Sequence, residues 1–486
     1  MILTQEQAFL KAEKQLQELM ASVRQAADQE RRIDQVERSV MEQLLQVGLS
    51  LLTAFVARHG DGDVGETTVT PEGETVRRFE EPHERRYVSI FGELAIPRFV
   101  YGNREGQKIV AAPLDARLGL PGGDFSYVLE DWVQHFGVQE SFAEAGRSLA
   151  RLLGLHLHSR TLEHMNRELA DWTVCFRDEQ SVPPAREEGE LLVVTADGKG
   201  VPMRRPLEER IRTPHRRGKG EKANKKQMSY VGAVYSIDRF VRTADEVIDE
   251  LQRRQRAVDR PKPCHKRVWV EMTQVLEGET INGKEMLFMT LANEAEERDR
   301  GGRKPTVCLL DGEKALWDWY RESLPDAVGI LDLFHVLERL WLAAYCFHAE
   351  GSKAAAKFVS ERLRMLLEGK VGRLIGGLRQ MRTKHGLTGT KAKTLRSVIG
   401  YLENNRDHMH YDEYLAEGYP IGSGVAEGAC RHVVKDRMER SGMRWTVEGA
   451  QAMLHLRSIY LNGDWDEFID YRIQAEQDEL YGQMAA

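Results

Sequence analysis

Hydrophobic positions along this chain change their period several times. Over the first 58 residues they recur at threes and fours: Ile33, Val36, Val40, Leu44, Val47, Leu51 and Phe55 form one apolar stripe, which predicts an amphipathic helix. Gly60-Asp61-Gly62-Asp63 ends it. Tyr87 to Phe91, Gly92-Glu93 and Leu94 to Ile96 then read as a hairpin, with Pro97 stopping the pairing. After a Pro- and Gly-rich linker over 111–124, the helical period returns. Phe142, Ala145, Leu149 and Leu152 share one face up to Gly154. Ser159 can cap a second helix that carries Leu162, Met165 and Leu169 on one side and Arg160, His164 and Arg167 on the other. Two short helices with basic residues early in the second have the form of a helix-turn-helix.

From residue 190 short apolar, β-branched runs alternate with helical ones. Leu191 to Ala196, Tyr230 to Tyr235, Val268 to Val270, Thr306 to Leu310 and Val328 to Leu331 predict buried strands. Ala244 to Gln252, Lys284 to Glu297 and Lys314 to Ser323 predict helices between them. Residues 336–415 read as wholly helical, an insertion before the α/β pattern resumes near Pro420. The expected fold is therefore multidomain α+β. The expected divisions are a helical arm over 1–60, a small β element and linker over 80–123, and a helix-turn-helix over 124–185. An α/β domain over 190–335 follows, then the insertion over 336–415 and the rest of the α/β domain over 416–486.

Length and composition narrow this further. At 486 residues, 30% charged and 41% hydrophobic, the chain has the balance of a globular protein with several domains. No run of ~18 consecutive apolar residues predicts a membrane span. The charged, helix-like N-terminus lacks a signal-peptide pattern, so a cytoplasmic protein without membrane association is expected. Five scattered cysteines form no C-x-x-C pair, which argues against a zinc ribbon or a disulfide framework. The net charge of −7 hides an asymmetry. Lys353 to Arg396 holds twelve Lys or Arg against two acids, and Arg204 to Lys226 holds ten against three. Such stretches suit phosphate binding, or simply a solvated helical face.

The candidate chemistry is acidic. Three strands run into an aspartate: Asp197 in TADG, Asp311 in LLDG and Asp332 in ILDL. At the carboxyl ends of strands such groups gather at the mouth of an α/β fold. Carboxylates without Cys or paired His ligands suit a hard cation, Mg²⁺ or Mn²⁺, and two such ions suit phosphoryl transfer. A helix after the Gly422-Ser423-Gly424 turn would carry Glu427, Arg431 and Lys435 on one face, which is equally an exposed salt-bridge face. No P-loop or kinase Gly-rich loop is present.

The segments TADGKG, LLDGEKALW, LDLFHV and YPIGSGVAEGACRHVVKDRMERSGMRWT, in that order, resemble the DDE transposases of bacterial insertion sequences, the ISKra-type group above all and Mutator-type enzymes more distantly. The resemblance implies an RNase H-like catalytic domain interrupted by an all-helical insertion, with N-terminal helical and helix-turn-helix DNA-binding modules. It implies Asp197, Asp311 and Glu427 as ligands of two Mg²⁺ (or Mn²⁺) ions, with His335 and Asp332 from a D-x-x-H signature beside them. Asp332 stays open as an alternative second ligand. Double-stranded DNA, as terminal inverted repeats and target, is the implied partner, and a homodimer the implied assembly. Expected DNA contacts are Arg160 and Arg167 in the helix-turn-helix, Arg216, Arg217, Lys225 and Lys226 in the basic loop, and Lys391 and Lys393 in the insertion. Arg431, Lys435, Arg444 and Trp445 complete the set, with core packing as the competing role for Trp445. A catalytically silent DNA-binding relative, or another RNase H-like nuclease, fits the same residues.

Overall fold

A computed structural model describes residues 5–70, 73–104, 108–204, 226–252, 259–276, 278–422, 424–440 and 442–482. They form two units, one built from residues 1–178 together with 464–486 and the other from 179–463.

The first unit opens with two helices, Gln5–Asp28 and Ile33–Arg58, instead of one continuous arm. The break falls at Glu30, whose φ of 51° is left-handed for a residue with a side chain. Ser22 and Gln43 meet across the resulting hairpin. Its core side carries Val47, Ser50 and Ala54, whereas the expected stripe is largely bare: Ile33, Leu44, Leu51 and Phe55 are exposed. By length and composition Ile33–Arg58 could cross a membrane, the one such helix among the described residues. A counted run of unbroken apolar residues overlooks it because polar positions interrupt its hydropathy.

The β hairpin pairs His83–Ser89 with Gly92–Arg98, and Pro97 sits within the ladder opposite Glu84. Only two strands pair here, so the proline's missing N–H can face away from its partner. Next come helices Tyr127–Gly137, Phe142–Leu153 and Ser159–Ala170, which pack Leu129, Val133, Leu149 and Leu162 into one core. Ser141 and Glu144 form a capping box on the second, and Gly154 ends it at φ 70°. His158 stands at the N-cap of the third, so Ser159 is its first residue and no side chain caps it. Arg160, His164 and Arg167 are exposed, as the helical period predicts.

The last helix, Trp465–Tyr481, belongs to this first unit and not to the α/β part expected to run on to residue 486. Trp465 Nε1 donates to Asp131 at 2.8 Å, Phe468 meets Phe176 with ring centroids 5.3 Å apart, and Arg472 pairs with Glu130 at 2.8 Å. Those contacts are aromatic and ionic, and no local pattern announces them.

The second unit is built on a five-stranded mixed sheet. Its strands are β1 (Leu191–Pro202), β2 (Lys226–Ile237), β3 (Cys264–Met272), β4 (Thr306–Leu310) and β5 (Val328–Leu331). The spatial order is β5-β4-β1-β2-β3, with β4 and β5 parallel to β1 and with β2 and β3 antiparallel to their neighbours. Helices at Ala244–Leu251, Gly283–Arg298 and Lys314–Ser323 match the expected ones closely. Along the outer edge of β3 lies helix Val447–Asn462. Its Gln451 and Asn462 side chains accept the N–H groups of Met272 at 2.7 Å and Val268 at 2.9 Å, which blunts an edge that would otherwise be open to pairing.

After β5 the chain is helical: Leu333–Phe347, Lys353–Leu367, Val371–Lys384, Gly389–Asn404 and Tyr411–Ala416. Leu340, Phe358, Leu374, Leu395 and Leu402 from these helices join Val194, Leu309 and Ile330 from the sheet in one continuous core. The insertion is therefore packed onto the sheet, and the basic stretch from Lys353 to Arg396 is the solvated side of three helices.

Candidate active site

Register decides what the strand ends bring together. Leu310 of β4 stands opposite both Ala196 of β1 and Leu331 of β5. The next residues are Asp311, Asp197 and Asp332, so the register sets three aspartates side by side, two just past the ends of β4 and β5 and one within β1. In register, they fall on one face of the sheet.

Each is held differently. Asp197 is not at a strand end as expected; β1 runs on through Pro202 because β2 pairs with it that far. The Gly198 N–H donates to Asp197 Oδ1 at 2.7 Å. Asp311 follows its strand and accepts the Glu313 N–H at 2.8 Å. Burial pushes the Asp311 carboxyl up and the Asp197 charge adds to this, while the Glu313 N–H and His335 oppose. Asp332 is buried and caps helix Leu333–Phe347, accepting the Phe334 N–H at 2.7 Å. His335, one turn on, has its Nδ1 3.8 Å from Asp332 Oδ2, an ion-pair distance. Asp332, then Asp311 and Asp197, hold the His335 imidazole up at about 9 against the effect of burial. At neutral pH it is a cation facing three carboxylates.

Neither Asp-Gly step turns with positive φ. Gly312 is needed for a different reason: a Cβ there would lie 2.1 Å from the Tyr401 ring. Tyr401 comes from the insertion, so the helical block touches the sheet right beside Asp311. Burial raises the Tyr401 phenol, and Asp311 adds to the shift.

Glu427 lies on Gly424–Ala429, the helix that packs on β1 and β2. Its side chain is exposed. Cys430, the first residue of the π-helical turn that continues this helix, reaches the cluster: burial, then the Asp197 carboxylate that its thiol hydrogen-bonds, push that thiol up. Residues 430–435 are π-helical, so Glu427, Arg431 and Lys435 do not continue one α-helical face. Among the described residues no group of three His, Cys, Asp or Glu stands close enough to hold a metal ion. Asp197 and Asp311 fit a hard cation in type and proximity; Glu427 in this conformation stands outside them.

The expected DNA contacts divide. Arg160, Arg167, Lys391, Lys393, Arg431, Lys435 and Arg444 are exposed. Lys226 is engaged by Glu439. Trp445 is buried, its indole N–H donating to the Met438 carbonyl at 3.2 Å and its ring beneath Arg437, so it packs in the core and is closed to base stacking. Arg216, Arg217 and Lys225 lie outside the described residues.

No protein-family model matches this chain. No curated protein sequence matches it either.

Two participants escaped the sequence reading. Cys430 was legible in principle, since E-x-x-C puts both residues on one side of a helical turn. Tyr401 carries no local signal, because only the tertiary fold brings it to Gly312.

Proposed function

We propose that the chain is a DDE-type DNA transposase with an RNase H-like catalytic domain, acting on the ends of an insertion sequence. The observation that carries this reading is the meeting of Asp197 and Asp311 on adjacent parallel strands. Among the described residues neither has an ion pair with a lysine or arginine, and burial disfavours the charge on Asp311. Two like charges left so close call for a cation.

Asp197 and Asp311 would hold Mg²⁺ or Mn²⁺, with Glu427 joining once its helix turns inward. Bound there, the two ions would activate a water or a 3′-hydroxyl and stabilise the leaving oxygen. The chain's own residues do the rest. Asp332 holds His335 at the rim, where its charge attracts the phosphate next to the cut. Tyr401 fixes the Asp311-Gly312 step against the insertion. Arg160 and Arg167, with Lys391 and Lys393, supply exposed charge for duplex backbone. The bare stripe of Ile33, Leu44, Leu51 and Phe55 suits a homodimer contact. A bacterial cytoplasmic protein, nucleoid-associated when bound to DNA, follows from the same reading.

The test is cleavage of labelled inverted-repeat DNA with Mg²⁺ by the wild-type chain and by Asp197→Ala, Asp311→Ala, Asp332→Ala and Glu427→Ala. Wild type should cut, and the Asp197, Asp311 and Glu427 variants should bind without cutting. DNA binding should also weaken steeply as salt rises. A wild-type chain that binds the ends and never cuts with either metal overturns the catalytic reading.

A further inference from the structure

In the unit that carries the carboxylates, a cavity of about 340 Å³ opens beside Leu333, Phe334, the segment from Gly418 to Gly422, and Val425. Phe240, Val247, Phe334 and Val425 make much of its wall apolar. The size and lining are those of a small-molecule pocket.

Charges in the wall are unequally matched. Arg260 is ion-paired with Glu250, and Asp238 accepts the Glu190 N–H at 3.3 Å. Among the described residues Arg242 has no such partner. Its guanidinium lies over the Phe240 ring, 5.3 Å from the centroid, and its Nε is shut off from solvent without an acceptor. Burial and the neighbouring Arg260 pull it down to about 10. Glu246 opposes that shift from a distance, with no ion pair to Arg242, and its Oε2 accepts the Thr243 N–H and hydroxyl at 2.7 and 2.9 Å. A cation with an unmet donor in an apolar cavity is stabilised when an anion arrives. A planar surface faces the same space. The Phe334 ring is 46% exposed and lies so close over Gly422 that a Cβ there would be 2.7 Å from it. An exposed phenyl face beside a guanidinium is the pairing that receives a base and its phosphate.

We propose that this cavity takes one nucleotide unit, its base against Phe334 and its phosphate on Arg242. The unit could arrive as an unpaired nucleotide of a strand at the neighbouring carboxylates, which rests on the DNA-cleavage reading, or as a free mononucleotide, which does not.

The test uses the full chain and two fluorescent probes: 2-aminopurine nucleoside 5′-monophosphate, and a single-stranded oligonucleotide with one internal 2-aminopurine. Arg242→Gln and Phe334→Ala are compared with wild type after circular dichroism shows both folded. Arg242→Gln should weaken binding by roughly tenfold or more, the effect of losing a charged hydrogen bond. Phe334→Ala should weaken it by about tenfold, the scale of one stacking contact. A response to the monophosphate that both variants lose establishes a free-nucleotide site, even if the chain never cuts DNA. A response confined to the oligonucleotide, and lost in both variants, establishes a pocket for a strand nucleotide. No response to either probe, or responses unchanged in both variants, overturns the proposal.

Discussion

Arginines pair with buried acids in both units, whereas the Asp197 and Asp311 pair has no such partner among the described residues. In the first, Asp115 is flanked by Arg85 at 2.6 Å and Arg98 at 2.7 Å, and Arg472 is shared by Glu130 at 2.8 Å and Glu476 at 3.2 Å. In the second, Glu294 is flanked by Arg267 at 3.2 Å and Arg298 at 2.8 Å, yet among the described residues Asp197 and Asp311 have no lysine or arginine partner and face the His335 imidazole. The same unit supplies guanidinium groups to Glu294 and none, among the described residues, to Asp197 and Asp311, which is the contrast on which the proposed metal-dependent chemistry rests. Compensated charge holds the structure together; uncompensated charge is available for chemistry.

Mutation should separate the two kinds of site. The largest effect is expected at the unmatched pair. Asp197→Ala or Asp311→Ala should lower Mg²⁺-dependent cleavage on the order of 10³-fold or more, with no loss of melting temperature. A variant that cuts normally, or that merely unfolds, breaks the contrast. Next comes Arg472→Ala, which strands Glu130 and Glu476 without a counter-charge and should cost about 3–5 kcal/mol of stability. Urea unfolding measures this, and a loss below about 1 kcal/mol would show that the cluster is hydrated after all.

A smaller effect concerns pH. Even beside Arg472, burial holds Glu130 up at about 7 from its ordinary 4.5. Between those values the folded state binds the proton more tightly than the unfolded one. Stability in the first unit should therefore fall as pH rises through that window, by at most about 1.4 kcal/mol per pH unit, and level off above it. Glu130→Gln should flatten the curve, and a slope unchanged in that variant assigns the titration elsewhere. The smallest effect is Asp311→Asn, which removes a charge that burial disfavours. A rise in melting temperature of roughly 1–4 °C is expected, whereas a fall would mean that Asp311 is already compensated.

The sheet was legible because its strands are written in local chemistry. Leu191 to Ala196 and Thr306 to Leu310 are β-branched, apolar and bounded, and all three aspartates follow such runs. The stop at Gly154 was equally visible, whereas the cap expected at Ser159 falls on His158 and makes no side-chain bond. Features that depend on distant partners were not. Nothing near Asp197 says that β1 continues to Pro202, because Lys226 to Tyr230 across the hairpin decides it. The helix break at Glu30 has neither Gly nor Pro to announce it. Trp445 stands in a motif that invited a binding role, yet Met438 and Arg437 enclose it. Glu427 shows the same limit most sharply: its helix is where the spacing put it, but Cys430 is the side chain that meets Asp197.

The return of Trp465–Tyr481 to the first unit also orders events in time. A ribosome makes the whole second unit before the helix that supplies Arg472 and Trp465 exists. Until then Glu130 has no guanidinium, Asp131 no indole donor and Phe176 no Phe468. The half of the molecule translated first is thus the half completed last, and the sheet with its aspartates can be assembled while its neighbour is still waiting.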